Sequence, residues 1–335
     1  MNRLINCIVK NNINDIPVWF MRQAGRYLPE FMEIRKKNKD FVKLCLNSEL
    51  AKEITIQPVK RFDIDAAIIF SDILMIPYGL GQEVSFKKGF GPLLKDMVLE
   101  KILKTNERNF TENLQPVYQS IRKVKKEIKE KSLIGFVGAP WTLLLYMVNL
   151  QSPKKNFNFD RITKDNNLNK EVLNKLESMI CLHIKNQVEA GANVIQIFDS
   201  WAGLLPETQL TKFCYEPTAK IVEFTKSLKV PVICFPRGIK KKYAEYCAEV
   251  KPNCLSIDYE IDPSWIKKEI KSVVIQGGLD PKILLEKNEI IEKEVKKYLE
   301  IFKDQPYIFN LGHGVLPETN PEKIKFVTNL VREYK

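Results

Sequence analysis

Apolar residues gather in eight short runs along the chain, at 17–21, 66–70, 133–137, 194–198, 231–235, 254–257, 273–277 and 307–310, each about the length of a strand and bounded by turn chemistry. Longer segments with helical periodicity fill the gaps, at 48–62, 111–129, 169–190, 206–227, 239–249, 263–271, 286–302 and 321–334. Ser48 reads as a helix N-cap, and Pro206, Pro263 and Pro321 stand where first turns accept proline. Strand and helix alternating eight times imply a parallel sheet, and eight βα units are the number that closes a barrel. The predicted fold is a (β/α)8 TIM barrel in a single domain over residues 1–335.

Two stretches break the rhythm. IPYGLGQEVSFKKGFGP at 76–92 is rich in glycine and reads as a hairpin-like excursion after the second strand, and 151–167 reads as a long polar loop after the third. Long loops of this kind often carry function.

Composition narrows the class. With 44% hydrophobic and 28% charged residues the chain fits a globular protein with a sizeable core, not a disordered one. The net charge of +12 comes mostly from lysine mixed with glutamate on amphipathic helices, as in VKKEIKEK at 124–131 and IKKEIK at 266–271. That is the pattern of solvated helix faces, and no folded nucleic-acid-binding motif accompanies it. Seven scattered cysteines, an odd number without a CxxC pair, fit neither a disulfide framework nor a zinc ribbon, so a reducing cytoplasm is the expected location. No run approaches the ~18 apolar residues of a membrane span, and the N-terminus has no signal-peptide pattern.

A barrel of this kind works at the C-terminal mouths of its strands. In chain order those mouths hold Arg22 and Arg26, Ser71 and Asp72, Tyr146 a little beyond the third, Asp199 and Ser200, Arg237, Asp258, Asp280, and His313. Arginine is scarce beside lysine here, and a guanidinium binds carboxylates in a fixed, bidentate geometry. Plainer readings stand beside each candidate. Spacing serves equally well for ion pairs from Arg22 and Arg26 to Glu30 and Glu33. Asp72 and Ser200 also suit helix N-caps, and Tyr146, in LLLYMV, suits a packed core. Of the two histidines, His183 falls on a helical pattern, whereas His313 lies between glycines directly after an apolar strand. Two separated histidines and no Cys/His/carboxylate cluster give little for a metal, and the phosphate-loop, dinucleotide and nucleophile-elbow motifs are absent.

Six motifs in order carry a resemblance. MRQAGRYLPEF at 21–31, FSDIL at 70–74, GFVGAPWTLLLYMV at 135–148, FDSWAG at 198–203, LDP at 279–281 and NLGHG at 310–314 make the chain similar, end to end, to the uroporphyrinogen decarboxylase family of tetrapyrrole synthesis. The resemblance implies a somewhat distorted (β/α)8 barrel that dimerises, and decarboxylation of the four acetate side chains of uroporphyrinogen III to coproporphyrinogen III without metal or cofactor. It implies that Arg22, Arg26 and Arg35 bind substrate carboxylates and that Asp72 receives the pyrrole NH groups. It further implies that Phe31 packs on the macrocycle and that Tyr146, Ser200 and His313 line the cleft. Arg22, Asp72 and Tyr146 are the expected catalytic residues, with no metal, nucleic acid or membrane as partner.

Departures from the family pattern fall at Asn149-Leu150, Gly278 and Arg237, positions that bear on loop geometry rather than on the reaction. A superfamily relative that methylates corrinoid or thiol substrates is the nearest rival. Its zinc-binding HxC pair corresponds to Val232-Ile233-Cys234 here, which lacks the histidine.

Overall fold

The computed structural model describes residues 2–87, 89–96, 99–153 and 167–334. Seven of the eight apolar runs become the strands β1 (Ala66–Ile68), β4 (Ser132–Gly138), β5 (Val194–Asp199), β6 (Val232–Pro236), β7 (Cys254–Ile257), β8 (Val274–Gly277) and β9 (Tyr307–Ile308). They pair in parallel, in chain order, and helices separate them. Two further strands, β2 (Val84–Lys87) and β3 (Gly91–Leu94), form an antiparallel hairpin where the glycine-rich excursion is predicted, after a short helix Met75–Gly79. The polar loop at 151–167 lies largely outside the described residues.

The first apolar run is not a strand, which corrects the expectation of eight. It joins Phe309 through one parallel bridge at Val18. Side chains take the backbone donors that a ladder would use: the Val18 N–H donates to the Asp65 carboxylate at 2.7 Å, Phe20 to Gln23 at 3.1 Å and Met21 to Asn310 at 2.9 Å. The run nevertheless spans the seam between the edge strands. Phe309 N–H donates to the Pro17 carbonyl at 2.8 Å, and Asp65 N–H donates to the Val18 carbonyl at 2.8 Å on the other side. This is the distortion of the barrel.

Contacts across the interior show how far the sheet curls. The Trp19 indole donates to Gln276 at 2.9 Å, and the Gln276 amide reaches Gln196 and Ser256, each at 3.2 Å. Buried amides of this kind need such partners. At the N-terminal end a helix Arg3–Lys10, which the apolar pattern did not single out, packs Leu4, Cys7 and Ile8 against Trp19, Ala66, Val194, Cys254, Val274 and Ile308. Each large side chain buried there contributes about 2 kcal/mol. With that end plugged, the opposite mouth is the open one.

Two helix expectations also need correction. Asn47, not Ser48, caps the helix Ser48–Arg61, accepting from the backbone of Glu49 and Leu50, while the Ser48 hydroxyl accepts from Lys123 at 2.7 Å. The helix expected over 206–227 is interrupted by a π-turn, Thr211–Tyr215, before Glu216–Ser227.

Candidate active site

The loop after the first run is fixed before any substrate arrives. The buried Gln23 side chain donates to the Ala66 carbonyl at 3.0 Å, and the Gln23 backbone carbonyl accepts from the Tyr27 hydroxyl at 2.8 Å. Asn310 accepts from both Met21 and Leu311, and Val315 N–H donates to the Met21 carbonyl at 2.9 Å. Between these anchors Arg22 adopts φ 62°, a left-handed conformation that costs a non-glycine residue about 1 kcal/mol. Its side chain then lies over Gly314, where a Cβ would stand 2.8 Å from Arg22 Cβ and 2.9 Å from its Nε. Gly314 is what leaves that space.

The ion-pair alternative for the two arginines does not hold. Glu30 pairs with Arg61 at 3.3 Å and Glu33 with Lys36 at 2.7 Å. Among the described residues neither Arg22 nor Arg26 makes a side-chain hydrogen bond or ion pair, and both are exposed. Arg22 is also crowded. Desolvation is the largest influence on it and lowers its pKa, Asp72 opposes this, and the positive charges of Arg26 and Arg237 add to it. A cation both accessible and crowded thus stands at the strand-end mouth.

Asp72 follows β1. Its Oδ1 accepts the Leu74 N–H at 2.9 Å, closing a turn before the helix Met75–Gly79, whose N-cap position is Leu74. Among the described residues the second oxygen has no hydrogen-bond partner. Burial raises the pKa from 3.8 to about 6, against the Leu74 hydrogen bond and the Arg22 charge, which lower it. At neutral pH the carboxyl is mostly ionised, with little to spare.

His313 follows β9 and accepts the Gly314 N–H at Nδ1, 2.7 Å away, which leaves Nε2 to carry the proton of the neutral ring. Desolvation, with Arg22 and Arg237 nearby, lowers its pKa to about 4. Tyr146, on the helix Pro140–Asn149, is buried and sets its ring against Trp201 at 6.1 Å. Burial raises its pKa, and both Asp72 and Arg22 act on it. Arg22, Arg26, Asp72, Tyr146 and His313 are thus brought into one electrostatic neighbourhood.

The other three expected residues make contacts of their own. Phe31 is buried, edge-on to Phe70 at 5.8 Å. The Arg35 guanidinium bonds the Asn38 carbonyl at the end of its own helix and stacks over Phe41 at 5.5 Å. Ser200 is half-buried and caps nothing, since the following 3₁₀ turn Ala202–Leu204 has Trp201 at its cap position. His183, as its helical pattern suggests, is packed: it pairs with the Tyr118 hydroxyl at 2.9 Å.

Sequence reasoning placed Arg237 at a strand end but gave it no role, and it gave none to the carboxylates behind it. Asp199 is buried, accepts the Thr142 hydroxyl at 2.6 Å, and has a pKa raised to about 6 by desolvation. Thr142 in turn accepts the Trp201 N–H at 3.1 Å, tying the loop after β5 to the helix that carries Tyr146. Asp258 accepts from Gly238 N–H and the Tyr243 hydroxyl, each at 2.7 Å. Their only signal in the sequence is position just past an apolar run. Among the described residues no three His, Cys, Asp or Glu side chains group closely enough to hold a metal ion.

A family model described as "Uroporphyrinogen decarboxylase (URO-D)" matches residues 1–334. A protein of Rickettsia bellii named uroporphyrinogen decarboxylase is 44% identical over 337 residues, covering 99% of each chain. One of Rickettsia felis with the same name is 44% identical over 340 residues, covering 100% of this chain and 98% of its own. Among solved structures, a methyltransferase from Methanosarcina mazei superposes with a TM-score of 0.80 over 99% of this chain and 97% of its own. At 17% identity that likeness speaks for the barrel alone.

Proposed function

The chain belongs to the uroporphyrinogen decarboxylase family and is a carboxy-lyase that converts uroporphyrinogen III to coproporphyrinogen III in haem biosynthesis; from that premise we propose how its own residues do so. The carrying observation is that, among the described residues, Arg22 and Arg26 have no side-chain partner and Asp72, within reach of the Arg22 charge, has one carboxylate oxygen without a hydrogen bond. The substrate presents eight carboxylates around four pyrrole NH groups, and this floor offers the complement of both.

Removing one CO₂ leaves an electron pair on the methylene carbon of an acetate arm, and that pair needs a sink. A proton added to the neighbouring pyrrole carbon makes the ring cationic. The C–CO₂ bond then breaks, its electrons enter the ring, and an exocyclic methylene forms. A second proton on that methylene and loss of the first from the ring leave a methyl group, so each CO₂ consumes one proton. Four such rounds complete the reaction.

In this reading Asp72, ionised, faces the NH groups and stabilises the cation as it develops, where a fixed charge in a water-poor site acts most strongly. Arg22 and Arg26 hold substrate carboxylates, and Arg22 also keeps Asp72 ionised. Arg35 takes a further carboxylate by turning from the Asn38 carbonyl. Tyr146, Ser200 and His313 line the cleft, and Phe31 backs the macrocycle through Phe70. Net positive charge steers the octa-anion in.

A single-domain, cytoplasmic homodimer completes the proposal. It rests on family membership and on the sequence, and sedimentation of the purified protein tests the dimer. The reaction itself is tested by anaerobic incubation with uroporphyrinogen III and mass spectrometry of the product. Loss of four carboxyl groups is expected; an unchanged octacarboxylate overturns it.

A further inference from the structure

We propose that Arg237 is a fourth carboxylate-binding arginine of the site, holding one substrate carboxylate on the β6 side of the strand-end mouth it shares with Arg22 and His313. The inference rests on the decarboxylase reading and adds a residue to it.

Arg237 follows β6 and is partly exposed, and among the described residues its side chain makes no hydrogen bond or ion pair. Its backbone, by contrast, is held at every available point. Arg237 N–H donates to the Asp199 carbonyl at 3.1 Å, its carbonyl accepts from Gly203 N–H at 2.9 Å, and the next N–H, of Gly238, donates to Asp258 at 2.7 Å. Gly238 turns at φ 81°. Gly203 packs so closely on it that a Cβ there would stand 2.4 Å from the Gly238 carbonyl oxygen. Two loops are locked together by paired glycines, and the guanidinium projects from the lock. Such a cation is pre-organised, so binding orders little that is not already ordered.

Its charge reaches the rest of the floor. Arg237 acts on both Arg22 and His313, in each case against the protonated form. Cations that outnumber the one carboxylate acting on them, Asp72, oppose one another, and an anion placed among them relieves all of them at once. The free donor of His313, Nε2–H, suits the same carboxylate.

Wild-type turnover is measured first, since its absence removes the decarboxylase reading itself. Given turnover, Arg237→Gln is expected to raise KM about ten- to a hundredfold, the range for a lost charged hydrogen bond, with a much smaller change in kcat. An unchanged KM, or a loss confined to kcat, overturns the proposal. With only two histidines in the chain, proton NMR can follow His313 directly. Its titration should move to higher pH in Arg237→Gln, and an unmoved titration in the folded variant refutes the placement. If Arg237→Gln does not fold, Arg237→Lys keeps the charge without the planar fork and should still raise KM several-fold. A wild-type KM there again overturns the assignment.

Discussion

Arg22 and Asp72 hold each other charged at the strand-end mouth: burial works against the ionised form of both, and each one's charge partly restores the other. The pair is set by two different loops, one after the irregular first run and one after β1. Neither residue is neutralised completely by the other, because Arg26 and Arg237 leave an excess of positive charge for an anionic substrate.

Asp72→Asn separates function from stability. Asn keeps an acceptor for the Leu74 N–H but loses the charge, so turnover should fall by about two orders of magnitude or more. The folded-state pKa, about 6, lies above the ordinary 3.8, so the carboxyl disfavours folding above pH 6, and that cost disappears as pH falls towards 3.8. At pH 7 the variant should be more stable, by on the order of 1 kcal/mol once water in the open cleft is allowed for. Calorimetry should find Tm about 1–2 °C higher. Undiminished turnover would exclude the electrostatic role.

Arg22→Gln removes the positive charge that lowers the Asp72 pKa. The acid limb of kcat/KM, expected near pH 6 in the wild type, should move to higher pH, because kcat/KM reports groups of the free enzyme. The His313 pKa should rise from about 4 at the same time, having lost one depressing charge. A pH–rate profile that keeps its acid limb while KM rises would mean that Arg22 binds substrate without tuning Asp72.

Gly203→Ala and Gly314→Ala should fail in different ways. A Cβ at 203 meets backbone of Gly238 at 2.4–2.7 Å, so the two locked loops must separate, costing about 1–3 kcal/mol as well as activity. A Cβ at 314 meets Arg22 Cβ at 2.8 Å and its Nε at 2.9 Å, looser contacts with one side chain, so activity should fall with a smaller loss of stability than at 203. Denaturation curves beside kinetic constants distinguish the two, and equal stability losses would contradict the assignment.

Asp65→Ala tests the seam. Asp65 accepts the Val18 N–H at 2.7 Å and pairs with Arg332 at 2.9 Å, joining the first run to β1 and to the last helix. Removing it leaves the buried Val18 N–H without its acceptor and takes one of two carboxylates from Arg332, which keeps Asp63, a loss of about 1–3 kcal/mol. The urea midpoint should fall accordingly. If it does not, the backbone bonds of Asp65 and Phe309 to the first run close the seam without the carboxylate.

The sequence by itself determined the barrel and most of its floor. Continuous apolar runs separated by amphipathic helices admit little besides a parallel sheet covered on its outer face, and the strand ends then name the open rim. That is why Arg22, Asp72 and His313 were legible: each directly follows an apolar run. What only the tertiary structure decided is where backbone donors go and which charges meet. The 17–21 run has strand composition, yet Asp65, Gln23 and Asn310, distant or irregular in sequence, take its N–H groups and make it a seam. Arg22 and Arg26 have Glu30 and Glu33 within sequence reach, but Arg61 and Lys36 take those carboxylates, and among the described residues the two arginines pair with none. Arg237 looked like a loop variation until the fold brought its charge within reach of Arg22 and His313. Periodicity is a property of neighbours along the chain, whereas pairing and desolvation depend on neighbours in space.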